Sequence, residues 1–183
     1  TGGWSAYEHY GVVPDLSTWA KSMGGGMPIG AVIGKAHIMD AARPGTIGGT
    51  YGGNPVSCAA SLATIKLMED LQLGSRATVI GQRVTECFRE LQKQFPNWIG
   101  DVRGLGAMVA VEFVLNRNPH NPATELTAEI LKGCTDRRLL ILGAGIYGNV
   151  LRFLAPLVIT DEQLDRGLAI LKEEIACAIE ARC

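Results

Sequence analysis

The sequence lacks any long apolar run, and it carries almost no net charge. No stretch approaches the roughly 18 consecutive apolar residues that suggest a membrane-spanning helix. The 183 residues include 17 lysines and arginines against 18 aspartates and glutamates, so the formal net charge is −1. This balance gives no sign of a nucleic acid or an anionic membrane as partner. With 47% hydrophobic residues, the composition predicts a soluble globular chain that binds neither.

Paired cysteines and clustered histidines are also missing. The five cysteines are odd in number and widely spaced, with no Cys-x-x-Cys pair, and the three histidines are isolated. Neither a disulfide framework nor a metal site is therefore indicated. Cys58, Cys87 and Cys134 fall at apolar helical positions, where free cysteine behaves as a small hydrophobic residue. Together with Cys177 and Cys183, they fit a chain of the reducing cytoplasm better than one with a catalytic thiol.

Lys21 ends an apolar stretch and is followed closely by three glycines at residues 24–26. Its neighbours Ala20 and Ser22 are uncharged, whereas a surface lysine usually has polar or charged neighbours. An amine in partly apolar surroundings loses proton affinity by desolvation and becomes a nucleophile suited to Schiff-base formation. The glycines would let the backbone approach a ligand closely. On the residues alone, an ordinary lysine beside a glycine turn is an equal alternative.

The first 73 residues alternate between strand and helix patterns. A loop from Val12 leads into a short strand that ends near Ala20, and a second strand covers residues 29–33. Asn54 is placed to cap a helix that has Pro55 in its first turn. The apolar face predicted for this helix comprises Cys58, Leu62, Ile65, Leu67 and Met68.

The remaining residues predict a small α+β unit. Ser75 is expected to cap a helix that ends before Pro96, with a hinge at Leu73-Gly74. The next predicted elements are a strand at 109–114, a polar loop at 116–122, a helix at 124–137, and strands at 139–142 and 150–154. Thr160-Asp-Glu-Gln163 is a capping box that starts the last helix. The apolar stripe of that helix comprises Leu164, Leu168, Leu171, Ile175 and Ile179.

Four segments resemble, in the same order, the class III pyridoxal-phosphate-dependent aminotransferases. They are Ala20-Lys-Ser-Met-Gly-Gly-Gly-Met-Pro-Ile-Gly-Ala, Gly48-Gly-Thr-Tyr-Gly-Gly-Asn-Pro, Gly104-Leu-Gly-Ala-Met-Val-Ala-Val-Glu-Phe and Asn149-Val-Leu-Arg-Phe-Leu-Ala-Pro-Leu. Within that family, Gly143-Ala-Gly-Ile-Tyr-Gly-Asn-Val-Leu-Arg is most similar to the 4-aminobutyrate aminotransferase branch. Four ordered matches along the whole chain are far more specific than one glycine-rich run.

The resemblance implies an α/β fold: the C-terminal part of a fold-type-I large domain, followed by a small α+β C-terminal domain. Residues 1–73 would belong to the large domain that binds pyridoxal 5'-phosphate, and residues 74–183 to the small domain. The family's carboxylate partner of the pyridinium nitrogen precedes the position that matches Thr1. We therefore expect this chain to be the C-terminal portion of a longer subunit, and to be catalytically incomplete alone.

The same resemblance implies roles for Lys21 and Thr50. Lys21 would be the catalytic residue that holds the cofactor covalently and moves the substrate proton. Thr50 would bind the cofactor phosphate of the neighbouring subunit, which implies a homodimer with shared sites. A glycine-rich turn with a solvated hydroxyl is the alternative interpretation of Thr50.

Arg152 falls inside an apolar strand pattern, where a guanidinium without a partner would be costly to bury. The resemblance implies that it grips the substrate carboxylate through a planar, two-pronged pair. The alternative is a structural ion pair, with Asp15 and Glu112 as candidate partners. Arg103 could add a second positive charge near the domain junction, but the sequence leaves it outside the predicted site.

The predicted activity is transfer of an amino group from an ω-amino acid, 4-aminobutyrate first among them, to 2-oxoglutarate. Ornithine, acetylornithine and diamine aminotransferases would share the same lysine, threonine and arginine. A further hypothesis of another class is a non-catalytic fragment that serves dimerisation or scaffolding.

Overall fold

The computed structural model describes residues 1–46 and 48–182, and the chain divides into two compact units. One unit is Gly3–Leu73, and the other comprises Thr1–Gly2 with Gly74–Cys183. The thiol of Cys183 lies outside the described residues. In the part of the chain that the structure describes, no helix combines the length and apolar character that crossing a membrane requires.

An antiparallel hairpin opens the first unit. Strand β1, Leu16–Trp19, pairs with strand β2, Ala31–Gly34, so that Leu16 lies opposite Gly34. Both predicted strands are confirmed, although β2 begins two residues later than predicted. Beyond the pairing, the Lys35 ammonium lies 2.5 Å from the Asp15 carboxylate and ties the two chain ends of the hairpin together.

Two helices follow in this unit, α1 at Ala36–Met39 and α2 at Pro55–Asp70. The predicted start of α2 is confirmed, because the Asn54 side chain accepts hydrogen bonds from two backbone N–H groups of the first turn, at 3.0 and 3.2 Å. Such a cap satisfies donors that the helix itself leaves unpaired.

The face that α2 buries in this unit is not the predicted one. Ser57 and Ser61 are buried, whereas Leu62 is 68% exposed and Leu67 is 50% exposed. The helix packs against a short 3-10 helix at Lys21–Gly24, and a Cβ on the next residue, Gly25, would lie 2.7 Å from the Thr64 hydroxyl. Small side chains therefore occupy the inner face because the glycine-rich backbone comes so close.

The second unit is built on an antiparallel five-stranded sheet. Its strands are β3 at Ile99–Leu105, β4 at Met108–Leu115, β5 at Asn118–Pro122, β6 at Leu142–Ala144 and β7 at Val150–Phe153. The order is β3-β4-β7-β6, with β5 also paired to β4. Two predictions are corrected here. Residues 118–122 form a strand rather than a loop, because β4 offers them a pairing edge, and the strand predicted at 139–142 begins only at Leu142.

Three helices pack against one face of this sheet: α3 at Leu73–Gln94, α4 at Thr124–Asp136 and α5 at Asp161–Glu180. The capping box of α5 is confirmed, since Thr160 and Gln163 exchange hydrogen bonds of 3.1 and 3.2 Å. Ser75 does not cap α3 but lies inside it, because the helix already begins at Leu73. The predicted hinge at Leu73-Gly74 is thus helical, and it coincides with the boundary between the two units.

The core of the second unit follows the period-two pattern of β4. Val109, Val111 and Phe113 are almost fully buried, and the whole predicted stripe of α5 is buried against the same cluster. Burial raises the pKa of the Cys87 thiol to about 11 and does the same for Cys134. These two cysteines are therefore protonated packing residues at neutral pH, as predicted.

Candidate functional site

Lys21 opens the short 3-10 helix between β1 and β2. Its backbone φ is 61°, in the left-handed region that a long side chain rarely adopts. Such conformations persist only where the surrounding structure imposes them, and they concentrate at functional sites. The residue is exposed, so the partly apolar surroundings expected from its neighbours are not seen among the described residues of this unit. Among the described residues, its ammonium makes neither an ion pair nor a hydrogen bond.

The glycines after Lys21 fix the shape of its turn. Gly24 is buried, and a Cβ there would lie 2.7 Å from the Ile29 side chain. Gly25 has a φ of 58° and donates its N–H to the Ser22 carbonyl at 3.0 Å, which ends the short helix. Side chains at these positions would clash or strain the backbone. The glycine run thus serves to hold the lysine in a tight turn, rather than to make the turn flexible.

Strand β1 anchors the other side of this turn. The Trp19 indole donates a 2.9 Å hydrogen bond to the Ser17 hydroxyl, and that hydroxyl lies 3.4 Å from the Ile33 carbonyl of β2. Trp19 is the last residue of β1 and lies two residues before Lys21. Its hydrogen-bonded ring therefore holds the end of the strand that precedes the lysine. Sequence reasoning missed this support.

Thr50 lies in a pair of successive turns just before α2. The N–H of Gly52 donates to the carbonyl of Gly49 at 2.9 Å, and that of Asn54 donates to the carbonyl of Tyr51 at 3.3 Å. The threonine is exposed, and a Cβ on Gly48 or Gly49 would meet nothing within 4 Å. This leaves a hydroxyl beside open backbone, which is a suitable donor set for an oxyanion such as phosphate.

Arg152 lies in the middle of β7, opposite Ala110 of β4. It is half-buried, and its Nε has no hydrogen-bond partner in the part of the chain described. Among the described residues of its own unit it has no carboxylate partner either. Of the two carboxylates considered for it, Asp15 pairs with Lys35 and Glu112 pairs with Arg103. A buried, unsatisfied donor on a guanidinium is costly, which favours an acceptor that comes from a ligand.

A cavity of about 190 Å³ adjoins Arg152. Its lining is mostly apolar, and among the described residues Arg152 and Gln163 supply its only polar side chains. Typical ligand pockets are larger, about 300–1,000 Å³. This cavity is therefore too small to enclose a substrate and a cofactor by itself.

Asn149 positions the start of β7, and sequence reasoning missed it. Its side chain is 3% exposed and donates a 2.9 Å hydrogen bond to the Phe113 carbonyl. The backbone of Phe113 returns a 2.8 Å hydrogen bond to the Asn149 carbonyl. These bonds lock β7 onto β4 three residues before Arg152. An asparagine immediately before an apolar strand was the available signal.

The predicted site residues fall in both units. Lys21 and Thr50 belong to Gly3–Leu73, and Arg152 belongs to the other unit. Lys21 and Thr50 share no hydrogen bond. Among the described residues, no group of three or more His, Cys, Asp or Glu side chains could hold a metal ion.

Known proteins resemble this chain along nearly all of its length. Residues 1–175 match the family described as aminotransferase class-III. The chain is 50% identical to the 5-aminovalerate aminotransferase of Pseudomonas aeruginosa over 173 residues, which are 94% of this chain and 40% of that protein. It is 44% identical to the 4-aminobutyrate aminotransferase of Escherichia coli K12 over 182 residues, which are 100% of this chain and 42% of that protein.

Solved structures give the same picture. An ornithine aminotransferase from Toxoplasma gondii, with pyridoxal phosphate (PLP) at partial occupancy in its active site, matches with a TM-score of 0.87 and 31% identity over 100% of this chain and 41% of that one. A transaminase from the marine bacterium Virgibacillus shares the fold, with a TM-score of 0.89 at 22% identity over 100% of this chain and 43% of that one. The predicted fold class, an α/β segment of a PLP-dependent transferase, is confirmed. The chain spans about two-fifths of the length of the relatives it matches.

Proposed function

The chain belongs to the class-III aminotransferase family, and from this premise we propose that it is the segment of an ω-amino-acid aminotransferase that carries the reactive lysine. The observation that carries the proposal is Lys21: an exposed amine with no ion-pair partner among the described residues, held at a φ of 61° in a glycine-locked turn. Gly3–Leu73 would be part of the cofactor-binding large domain, and residues 74–183 would be the small C-terminal domain.

The cofactor we propose is pyridoxal 5'-phosphate, and the donor set fits it. The Lys21 amine is free to hold its aldehyde carbon, and the Thr50 hydroxyl with its open backbone suits the phosphate. When bound, the cofactor supplies an electron sink for the substrate carbanion. The task of Lys21 is then to move a proton between the amine-bearing carbon of the substrate and the C4′ carbon of the cofactor. Thr50 would serve the neighbouring subunit of a homodimer.

Arg152 is proposed to select substrates that have a carboxylate. A guanidinium with an unsatisfied, buried Nε can donate two parallel hydrogen bonds to the two oxygens of a carboxylate. The relatives named for 4-aminobutyrate and 5-aminovalerate act on molecules with an amine at one end and a carboxylate at the other. We therefore propose 4-aminobutyrate as the amino donor and 2-oxoglutarate, a dicarboxylate, as the acceptor.

Ornithine, acetylornithine or diamine transamination is the second candidate, because the Toxoplasma gondii ornithine aminotransferase has the same fold at 31% identity. Ornithine and acetylornithine have a carboxylate, so Arg152 would serve them as it would serve 4-aminobutyrate. A diamine such as putrescine has none, so removal of Arg152 would leave the KM for the diamine unchanged. We also propose a reducing compartment, the cytoplasm, since the four described cysteines are all free.

The decisive test is to trap the reactive lysine. The purified full-length protein is incubated with PLP and reduced with borohydride, and the modified lysine is mapped by peptide mass. We expect selective labelling of Lys21 and loss of that label and of turnover in Lys21→Ala. Lys66→Ala is the matched control, because Lys66 is an exposed lysine that pairs with Asp70 at 2.9 Å. Labelling spread over surface lysines, or normal turnover in Lys21→Ala, would refute the assignment and favour a scaffold role.

A second experiment tests the substrate class. Arg152→Met should raise the KM for 4-aminobutyrate about tenfold or more, since a lost charge-assisted pair costs about 1.5–3 kcal/mol. The affinity for PLP should stay within twofold of the parent. Equal losses for substrate and cofactor would show a structural role for Arg152 instead.

A further inference from the structure

The face of the five-stranded sheet opposite the helices carries a row of side chains that includes two arginines. Arg103 of β3 lies opposite Ala110 of β4, and Ala110 lies opposite Arg152 of β7. Residues paired across strands point to the same face. Neighbouring strands are about 4.8 Å apart, so the Cα atoms of the two arginines are about 10 Å apart. On this face, only the methyl group of Ala110 lies between them.

Glu112 lies between these arginines, one step along the sheet. It follows Ala110 by two residues on β4 and is therefore on the same face. Its direct partner on β7 is Val150, so Arg152 is its diagonal neighbour. Diagonal pairs are about 7–8 Å apart at Cα, which is within reach of long side chains. Glu112 is thus the carboxylate on this face that is best placed to meet Arg152.

In the structure, however, Glu112 turns to the other arginine. The Arg103 Nη1 lies 2.8 Å from the Glu112 carboxylate and 2.7 Å from that of Asp101. The two hydrogen bonds raise the pKa of Arg103. The Glu112 side chain is only 27% exposed, so its charge needs a partner more than that of an exposed glutamate. Asp101 lies on β3, two strands away from Arg152, and cannot replace Glu112 there.

We propose that Arg103 is a positioning residue that holds Glu112 away from Arg152 and so keeps the Arg152 guanidinium available for the substrate carboxylate. The proposal rests on the substrate-binding role of Arg152 proposed above. Glu112 is an internal competitor: once released, it would occupy Arg152, and a substrate would bind only the fraction of molecules in which Arg152 is open. Arg103 therefore acts on substrate affinity through Glu112, without touching the substrate.

The test compares four variants of the full protein carrying bound PLP, with KM for 4-aminobutyrate and kcat as readouts. Arg103→Met should raise the KM about fivefold, the upper value for a partly exposed ion pair, with kcat within twofold of the parent. Arg103→Lys keeps a charge for Glu112 and should stay near the parent. The double variant Arg103→Met with Glu112→Gln removes the competitor, so its KM should return to within twofold of the parent.

Arg137→Met is the matched control, because Arg137 also bridges two carboxylates in the same unit, at 2.6 and 3.2 Å. Its KM should not change. The proposal is overturned if Arg103→Met leaves KM unaltered, or if the double variant is as impaired as the single one, since a merely structural loss would not be rescued. The role of Arg152 and the role of Arg103 are tested separately. If Arg152→Met leaves the KM for 4-aminobutyrate unchanged, the substrate-binding role of Arg152 is refuted. If Arg152→Met raises this KM but Arg103→Met does not, only the role of Arg103 is refuted.

Discussion

Gly81, in the middle of α3, should respond to alanine in the opposite sense from an ordinary helical glycine. Alanine normally stabilises a helix interior by about 1 kcal/mol relative to glycine, because glycine loses more backbone entropy on folding. At Gly81, however, the added Cβ would overlap the carbonyl group of Gly106, in the turn between β3 and β4. The obstacle is backbone, which cannot rotate away as a side chain can.

The size of the effect follows from these two opposing terms. Overpacking a closely packed contact costs about 1–3 kcal/mol, and backbone overlap falls at the upper end of that range. After the helix gain of about 1 kcal/mol, Gly81→Ala should destabilise the unit by about 2 kcal/mol. For a chain of this length, 1 kcal/mol corresponds to about 2–4 °C, so the Tm should fall by about 4–8 °C.

The assay is thermal unfolding followed by circular dichroism, with Gly167→Ala of α5 as the matched control. There the added Cβ would lie 3.6 Å from the Leu139 side chain, which is ordinary contact. That variant should keep the helix gain and raise the Tm by about 1–4 °C. If Gly81→Ala unfolds at or above the temperature of the parent, the close approach of α3 to the β3–β4 turn is contradicted.

Three further outcomes are expected. Thr50→Val should weaken PLP affinity in the full protein by about tenfold, since one charge-assisted hydrogen bond is lost, and an unchanged Kd by fluorescence titration would remove Thr50 from the site. Thr160→Ala should lower the unfolding free energy by about 1 kcal/mol, measured in urea, because the capping box is broken. Iodoacetamide at pH 8 should alkylate exposed Cys177 and spare native Cys87 and Cys134, whose pKa of about 11 leaves them protonated; equal rates would contradict their burial.

Local signals carried most of the helix predictions. The cap at Asn54 and the capping box at Thr160 depend on residues within one helical turn, so the sequence displays them directly. The apolar stripe of α5 was also predictable, because apolar residues recur every three to four positions on the face of a helix that packs on a sheet. Residues close together in the sequence were therefore enough to predict these helices.

Non-local pairing explains most of the errors in the fold. Strand β5 reads Asn-Pro-His-Asn-Pro, which has the composition of a loop, and it becomes a strand only because β4 supplies partners for it. Gly100 and Gly104 interrupt the pattern of β3, which was not predicted as a strand. The inner face of α2 was misassigned because the close approach of a glycine-rich backbone selects small side chains over apolar ones.

For the candidate site, the sequence supplied hypotheses about individual residues. Residue chemistry and family resemblance singled out Lys21, Thr50 and Arg152, whose roles stay predictions until the variants are measured. The interaction of Arg103 with Glu112 could not be foreseen, because it depends on the register of β3 against β4. Register is set by pairing along whole strands, and no single motif displays it.

The unsatisfied Nε of Arg152 also affects the stability of the fold. A buried donor without an acceptor lowers stability by about 1–3 kcal/mol relative to the satisfied state. A carboxylate ligand bound at Arg152 as proposed would supply the acceptor and remove this penalty, so part of its binding free energy would reappear as resistance to heating. On this proposal the ligand-free protein is its least stable form. The unsatisfied Nε therefore favours substrate affinity at the expense of the thermal stability of the free protein.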